Sequence, residues 1–146
     1  MHTWNSIDRL MIISSDAHAG ALPQQYREYL PTRWHAEFDE WLAQITMPWF
    51  DMTDDRNWDS AQRMRALDDE GVAAEVIFPN TLPPFYDILA HLSGVPRDRE
   101  NFERRWAGLQ AHNRWLVDFC AEAPDRARGL VQLLPNDVDA AVAVNQ

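Results

Sequence analysis

Asp16-Ala17-His18 places a carboxylate and an imidazole two residues apart. A carboxylate oxygen and an imidazole nitrogen are both good ligands for zinc or another divalent transition metal. Residues two apart in an extended strand project to the same side, so the triplet can aim both groups at one cation if it lies on or beside a strand. The triplet alone is not specific, because Asp-x-His also closes turns through a local hydrogen bond. Its surroundings add specificity. Leu10–Ser14, LMIIS, is a short apolar run rich in β-branched residues, as expected of a strand buried on both faces of a parallel sheet. The polar residues that follow it fall at the carboxyl end of that strand, where α/β proteins gather functional groups.

The rest of the chain supplies the elements that must position this pair. A helix is expected over Asn57–Glu70, capped by Asp55 or Asn57 and ended by Gly71, with Trp58, Ala61, Met64 and Leu67 as its apolar face. Ala74–Phe78, AEVIF, reads as a second strand closed by Pro79, with Asn80–Pro84 as a loop. A long helix follows over Arg99–Ala123. Phe102, Trp106, Leu109, Asn113, Leu116 and Cys120 share one stripe of it, and Pro124 stops it. Gly129–Leu134 reads as a third strand, and Asn136 or Asp137 caps a last helix from Val138. Strands alternating with helices imply right-handed crossovers and a parallel sheet.

The segment Ala21–Asp55 breaks this rhythm. It holds Tyr26, Tyr29, Trp34, Phe38, Trp41, Trp49 and Phe50 with Pro23, Pro31 and Pro48, and a long aperiodic stretch of this kind marks a functional excursion. Short helices at Gln24–Leu30 and Trp34–Ala43 fit within it. Its aromatics can line a pocket or cover one end of the fold.

Composition narrows the partners. The 146 residues carry a net charge of −10, which repels phosphate backbones and anionic lipid, so neither nucleic acid nor a membrane surface is expected. Arg97, Arg99, Arg104 and Arg105 alternate with Asp98, Glu100 and Glu103, the pattern of a solvated helix face. The single Cys120 has no internal partner and suits a reducing compartment; within WLVDFCAEA it reads as a buried helical thiol. The amino terminus lacks the cationic start and apolar run of a signal peptide, so a cytoplasmic location is expected.

Three segments carry a family resemblance. IISSDAHAG, RMRALDDEGVAAEVIFPN and HNRWLVDFCAEAPDRARGLVQLLPNDVDAAVA resemble, in order, the first strand, the approach to the second, and the long helix, third strand and next helix of the second amidohydrolase family. These are metal-dependent hydrolases and decarboxylases that resemble aminocarboxymuconate-semialdehyde decarboxylase. The resemblance implies an α/β fold, the first three or so β-α units of a (β/α)8 TIM barrel. Residues 1–146 would be the N-terminal portion of one such domain, ending before the barrel closes and inactive alone.

It further implies that Asp16 and His18 are the first two ligands of a divalent metal, zinc or alternatively manganese. The remaining ligands would be histidines and an aspartate on later strands. The implied reaction is hydrolysis or non-oxidative decarboxylation of a small carboxylic acid or amide, aromatic ones included; no catalytic residue is assigned within this chain. Asn80 and Thr81, at the end of the second strand, are candidates for substrate contact or for loop closure. His2, His35, His91 and His112 do not occupy ligand positions, and His112 reads as a hydrogen-bonded structural histidine. Asn113 is a recurrent family residue without an evident role. A homo-oligomer is compatible with this reading. The competing reading is a non-catalytic α/β module that binds a partner through an aromatic surface.

Overall fold

The computed structural model describes residues 10–46, 53–135 and 138–143. The expected cap at Asn136 or Asp137, together with His2, Pro48, Trp49 and Phe50, lies outside these residues. Three parallel strands form one sheet in the order β1 (Ile13–Ala19), β2 (Ala74–Pro79), β3 (Ala127–Gly129). The helices are α1 (His35–Gln44), α2 (Ser60–Glu70), α3 (Arg99–Ala121) and α4 (Val138–Ala143), so α2 and α3 are the crossovers between successive strands. A small parallel α/β layer of the expected type is therefore present; barrel closure is not a property of these three strands.

The first strand differs from its expected position. Leu10, Met11 and Ile12 precede it, and Leu10 is 80% and Ile13 57% exposed. The physical reason is that β1 is an edge strand, paired only with β2, so its apolar start has a neighbour on one side only. Asp16 and His18 consequently lie within the strand rather than beyond it. The third strand is displaced as well: Gly129–Leu134 was expected, but the strand is Ala127–Gly129, and past it one more rung, Leu130 N–H to the Ile77 carbonyl, continues the pairing on this edge while Leu130, Val131 and Leu133 stay partly exposed.

The helices match their sequence signals more closely. The Asp59 side chain accepts from the Gln62 amide to cap α2, two residues later than the expected cap. Asp54 plays the same part for a 3-10 turn at Asp55–Asn57. Gly71 ends α2 at φ 72°, the left-handed position that only glycine adopts freely. The inward face of α2 is Ser60 and Leu67 with half-buried Met64, whereas Ala61 is exposed, so the stripe is rotated by one residue from the expected one. Asp98 caps α3, whose buried stripe includes Leu109, Asn113 and Leu116 and broadens to take in His112, Trp115 and Phe119.

One face of the sheet is covered. Ala17 and Ile77, ladder partners, are buried in a core with Ala19, Ala107, Ala111, Trp115 and Phe119. The excursion after β1 adds Tyr26, Leu30 and Phe38 to the same core. Its described aromatics are thus buried or half-buried, and the exposed large apolar residues are aliphatic apart from Phe78. The aromatic surface that a partner-binding module needs is not offered by the described residues.

Gly108, in the middle of α3, is a poor helix former with a packing reason for being there. A Cβ at this position would run into the backbone carbonyl of Pro84, which has no side-chain freedom to retreat. Gly108→Ala is therefore expected to lower stability by about 2 kcal/mol through overpacking, despite the better helix propensity of alanine. Urea unfolding of the variant beside the parent checks this, and an unchanged or higher midpoint would refute it.

Candidate functional site

Asp16 and His18 stand on the face of the sheet opposite the helices. Along β1 the buried residues are Ala17 and Ala19, while Asp16, just before them, and His18, between them, point outward. Fully extended residues two apart are separated by about 6.6 Å along the strand. The side-chain tips nevertheless converge, His18 Nε2 lying 3.5 Å from Asp16 Oδ1. Their side chains are 50% and 86% exposed respectively, so an ion from solvent reaches both. The His18 ring lies 5.8 Å from that of Phe78, its ladder partner on β2. Among the described residues no group of three or more histidine, cysteine, aspartate or glutamate side chains is placed to share an ion.

A β-bulge sits at this pair. Ser14 pairs with Glu75 and Ala17 with Ile77, so Ser15 and Asp16 together oppose Val76. Bulges bend a strand and re-aim its side chains. Beside the bulge, Arg63 of α2 holds the Glu75 carboxylate by Nε at 2.9 Å and Nη2 at 2.9 Å, and its Nη1 donates to the His18 carbonyl at 2.9 Å. Glu75 is buried, its side chain only 1% exposed, and that of Arg63 is 13% exposed. The sequence reading passed over both residues. The signal was a single charged residue inside the apolar strand AEVIF, where a lone carboxylate requires a partner.

The rim beyond His18 is tied by amides. Gly20 N–H donates to the Asn57 carbonyl at 2.9 Å, Asn80 N–H to the Ala19 carbonyl at 3.0 Å, and Asn80 Nδ2 to Asn57 Oδ1 at 2.9 Å. Asn80 is half-buried at this rim. Thr81 is buried at 1% exposure, its hydroxyl 2.6 Å from that of Tyr26, and so faces the interior. The two residues expected together at the mouth are thereby separated.

The other sequence candidates have structural places. His112 is fully buried, with Nδ1 2.9 Å from the Tyr26 hydroxyl and Nε2 without a partner. Tyr26 also accepts from the Ala21 amide at 3.3 Å, so its hydroxyl joins the end of β1, the loop after β2 and α3. Burial raises the pKa of that hydroxyl well above its ordinary value. Asn113 donates to and accepts from the backbone of Gln132, both at 2.9 Å, and so fastens α3 to the segment after β3. His35 Nε2 lies 3.1 Å from the Leu30 carbonyl. Cys120 is a half-buried free thiol whose pKa burial pushes up, the opposite of an activated nucleophile. No helix of the described residues is long and apolar enough to cross a membrane.

No family model and no curated protein matches this chain. Among solved structures, it is similar to 2,6-dihydroxybenzoate decarboxylase complexed with 2,6-dihydroxybenzoate, at 20% identity and a TM-score of 0.45, over 94% of this chain and 35% of that one. It is also similar to 2,6-dihydroxybenzoate decarboxylase from Rhizobium, at 21% identity and a TM-score of 0.42, over 92% of this chain and 34% of that one. The chain thus spans about a third of the length of each.

Burial of His112 gives the fold an acid-sensitive element. Desolvation pushes its pKa down from 6.5 to about 4. The folded state therefore binds fewer protons than the unfolded chain between these values. Stability from this residue is intact above pH 6.5, falls as pH drops, and is lost below about 4, a total of about 3 kcal/mol. His112→Leu is expected to be less stable at pH 7 yet to lose less stability between pH 6.5 and 4. Unfolding midpoints across that window measure the slope, and parallel pH profiles for the two proteins would contradict the assignment.

Proposed function

We propose that this chain contributes the first part of an amidohydrolase-type TIM barrel and the first two ligands, Asp16 and His18, of its divalent metal. The enzyme would be a hydrolase or a non-oxidative decarboxylase of a small carboxylic acid or amide. The observation that supports this most directly is the convergence of the Asp16 and His18 side-chain tips on the helix-free face of β1. The three family-like segments of the sequence supply the class.

The donor set fits such an ion in part. One anionic oxygen and one imidazole nitrogen suit zinc or manganese, and their exposure leaves room for further ligands. Catalytic zinc has three protein ligands as a rule, so in this reading the others come from later strands. A bound divalent ion supplies Lewis-acid polarisation of a substrate oxygen. Asp16 contributes negative charge that lowers the cost of holding the cation. His18 must present a bare nitrogen, and the Phe78 ring beside it gives one wall an apolar surface suited to a flat substrate. Asn80, half-buried at the rim, is the candidate for a substrate contact; Thr81 would act behind it by holding the loop.

The Asp16→Ala, His18→Ala double variant tests the ligand assignment. Competition with a chromophoric chelator is expected to show zinc bound by the parent chain at least tenfold more tightly than by the variant, with unfolding midpoints little changed because both side chains are exposed. Equal affinities would end the metal assignment.

A further inference from the structure

We infer that Arg63 and Glu75 are positioning residues for Asp16 and His18, their ion pair locking the bulge that aims the two side chains. This rests on the reading of Asp16 and His18 as metal ligands.

The energetics of the pair point away from a purely stabilising role. Withdrawing a carboxylate and a guanidinium from water costs about as much as their attraction returns, so well-packed apolar replacements of similar size are often as stable. The geometry offers a different account. The Arg63 guanidinium makes contacts on both sides of the bulge. Before it stands Glu75, the ladder partner of Ser14; after it stands the His18 carbonyl, gripped by Nη1. The same Nη1 also reaches the Arg56 carbonyl at 3.3 Å, which ties the grip to the turn preceding α2. One rigid fork thus ties β1 just after the extra residue to the β2 residue that pairs with β1 just before it.

The ladder to β2, the buried Ala17 and Ala19 and the rim bonds at Gly20 and Asn80 hold the rest of the strand; at the bulge itself the fork is the side-chain contact that holds it. β1 is an edge strand with a single neighbour. A cavity of about 340 Å³ between β1 and α2, walled in part by Ser14, Ala17, Arg63 and Glu75, leaves space for the backbone to shift. Slipping one residue of pairing moves a strand's side chains to opposite faces, and even partial relaxation of the bulge re-aims Asp16. Lysine at position 63 would keep the charge but, as a flexible point donor, would not hold Glu75 and His18 in one fixed fork.

The test compares the parent chain with the Arg63→Met, Glu75→Leu double variant and with Arg63→Lys. Zinc affinity is read by chelator competition, stability by thermal unfolding, and strand geometry by the nuclear Overhauser contact between the His18 and Phe78 rings. The double variant is expected to unfold within a few degrees of the parent yet to bind zinc tenfold or more weakly and to lose the ring contact. Arg63→Lys is expected to show the same losses in milder form, and it carries the test if the double variant does not fold. Parent-like zinc affinity and ring contact in the variants would overturn the positioning role while leaving the metal reading intact. If the parent itself bound no zinc but the variants lost the ring contact, the positioning of the strand would stand and the metal reading would fall.

Discussion

A carboxylate buried inside a β-sheet protein must be answered by a partner, and much of this structure is arranged around that requirement at Glu75. Its side chain is nearly sealed from solvent, so both of its oxygens need hydrogen-bond donors. Arg63 provides them from α2, which fixes the rotation of that helix about its axis and its height along β2. Leu67, one turn further on, is then carried into the interior, while Ala61 is turned out. Because the same guanidinium grips β1 at His18, the electrostatic need of one strand sets the geometry of the next.

The two faces of the sheet divide the remaining tasks. Strand periodicity sends Ala17 and Ala19 inward and Asp16 and His18 outward. Small residues on the inward face let α3 approach closely, and Ala107 and Ala111 on that helix answer in kind. The result is a tightly packed layer in which buried polar groups such as Glu75, Thr81 and His112 are each held by a side-chain partner. The outward face has no such filling, and the chemically capable pair stands on it. Tyr26 closes the layer from the side, its hydroxyl reaching the Thr81 hydroxyl and His112 Nδ1 at once. Two buried polar side chains and an excursion of the chain are thereby held by a single atom.

Much of this was legible in the residues, and the gaps have physical causes. The alternation of elements, the stop at Gly71, the stripe on α3 and the pairing of Asp16 with His18 all follow from local chemistry, and local chemistry is what a sequence displays. The position of β1 was misjudged because LMIIS signals apolar character without saying how many neighbours a strand has. An edge strand leaves such residues exposed, and the ladder settles where α2 and β2 can hold it. Thr81 was read as a substrate contact or a loop closure, and its hydroxyl pairs with Tyr26, 55 residues distant. The Arg63–Glu75 pair was missed because Arg63 on its own is an ordinary helix residue. Its meaning lies in Glu75 and in a backbone carbonyl 45 residues away.

The surroundings of Asp16 and His18 bear on how strongly such a pair could act. Both side chains are largely exposed, so attraction to a cation is screened by a high dielectric. The Phe78 ring stands 5.8 Å from that of His18, and a cavity beside His18 is walled by Asp54, Arg56, Arg63 and Glu70. A polar pair so exposed gains from being covered, since lowering the local dielectric from that of water to an effective value near 20 raises a charge interaction about fourfold. Cover of that kind would also bury aliphatic surface, at about 25 cal/mol per Å². The same packing event would therefore both stabilise the sheet and strengthen the site. On the proposed reading the bulge and its fork would aim Asp16 and His18 before that event, because a covered strand in the wrong register would trap the carboxylate against aliphatic side chains with no ion to neutralise it.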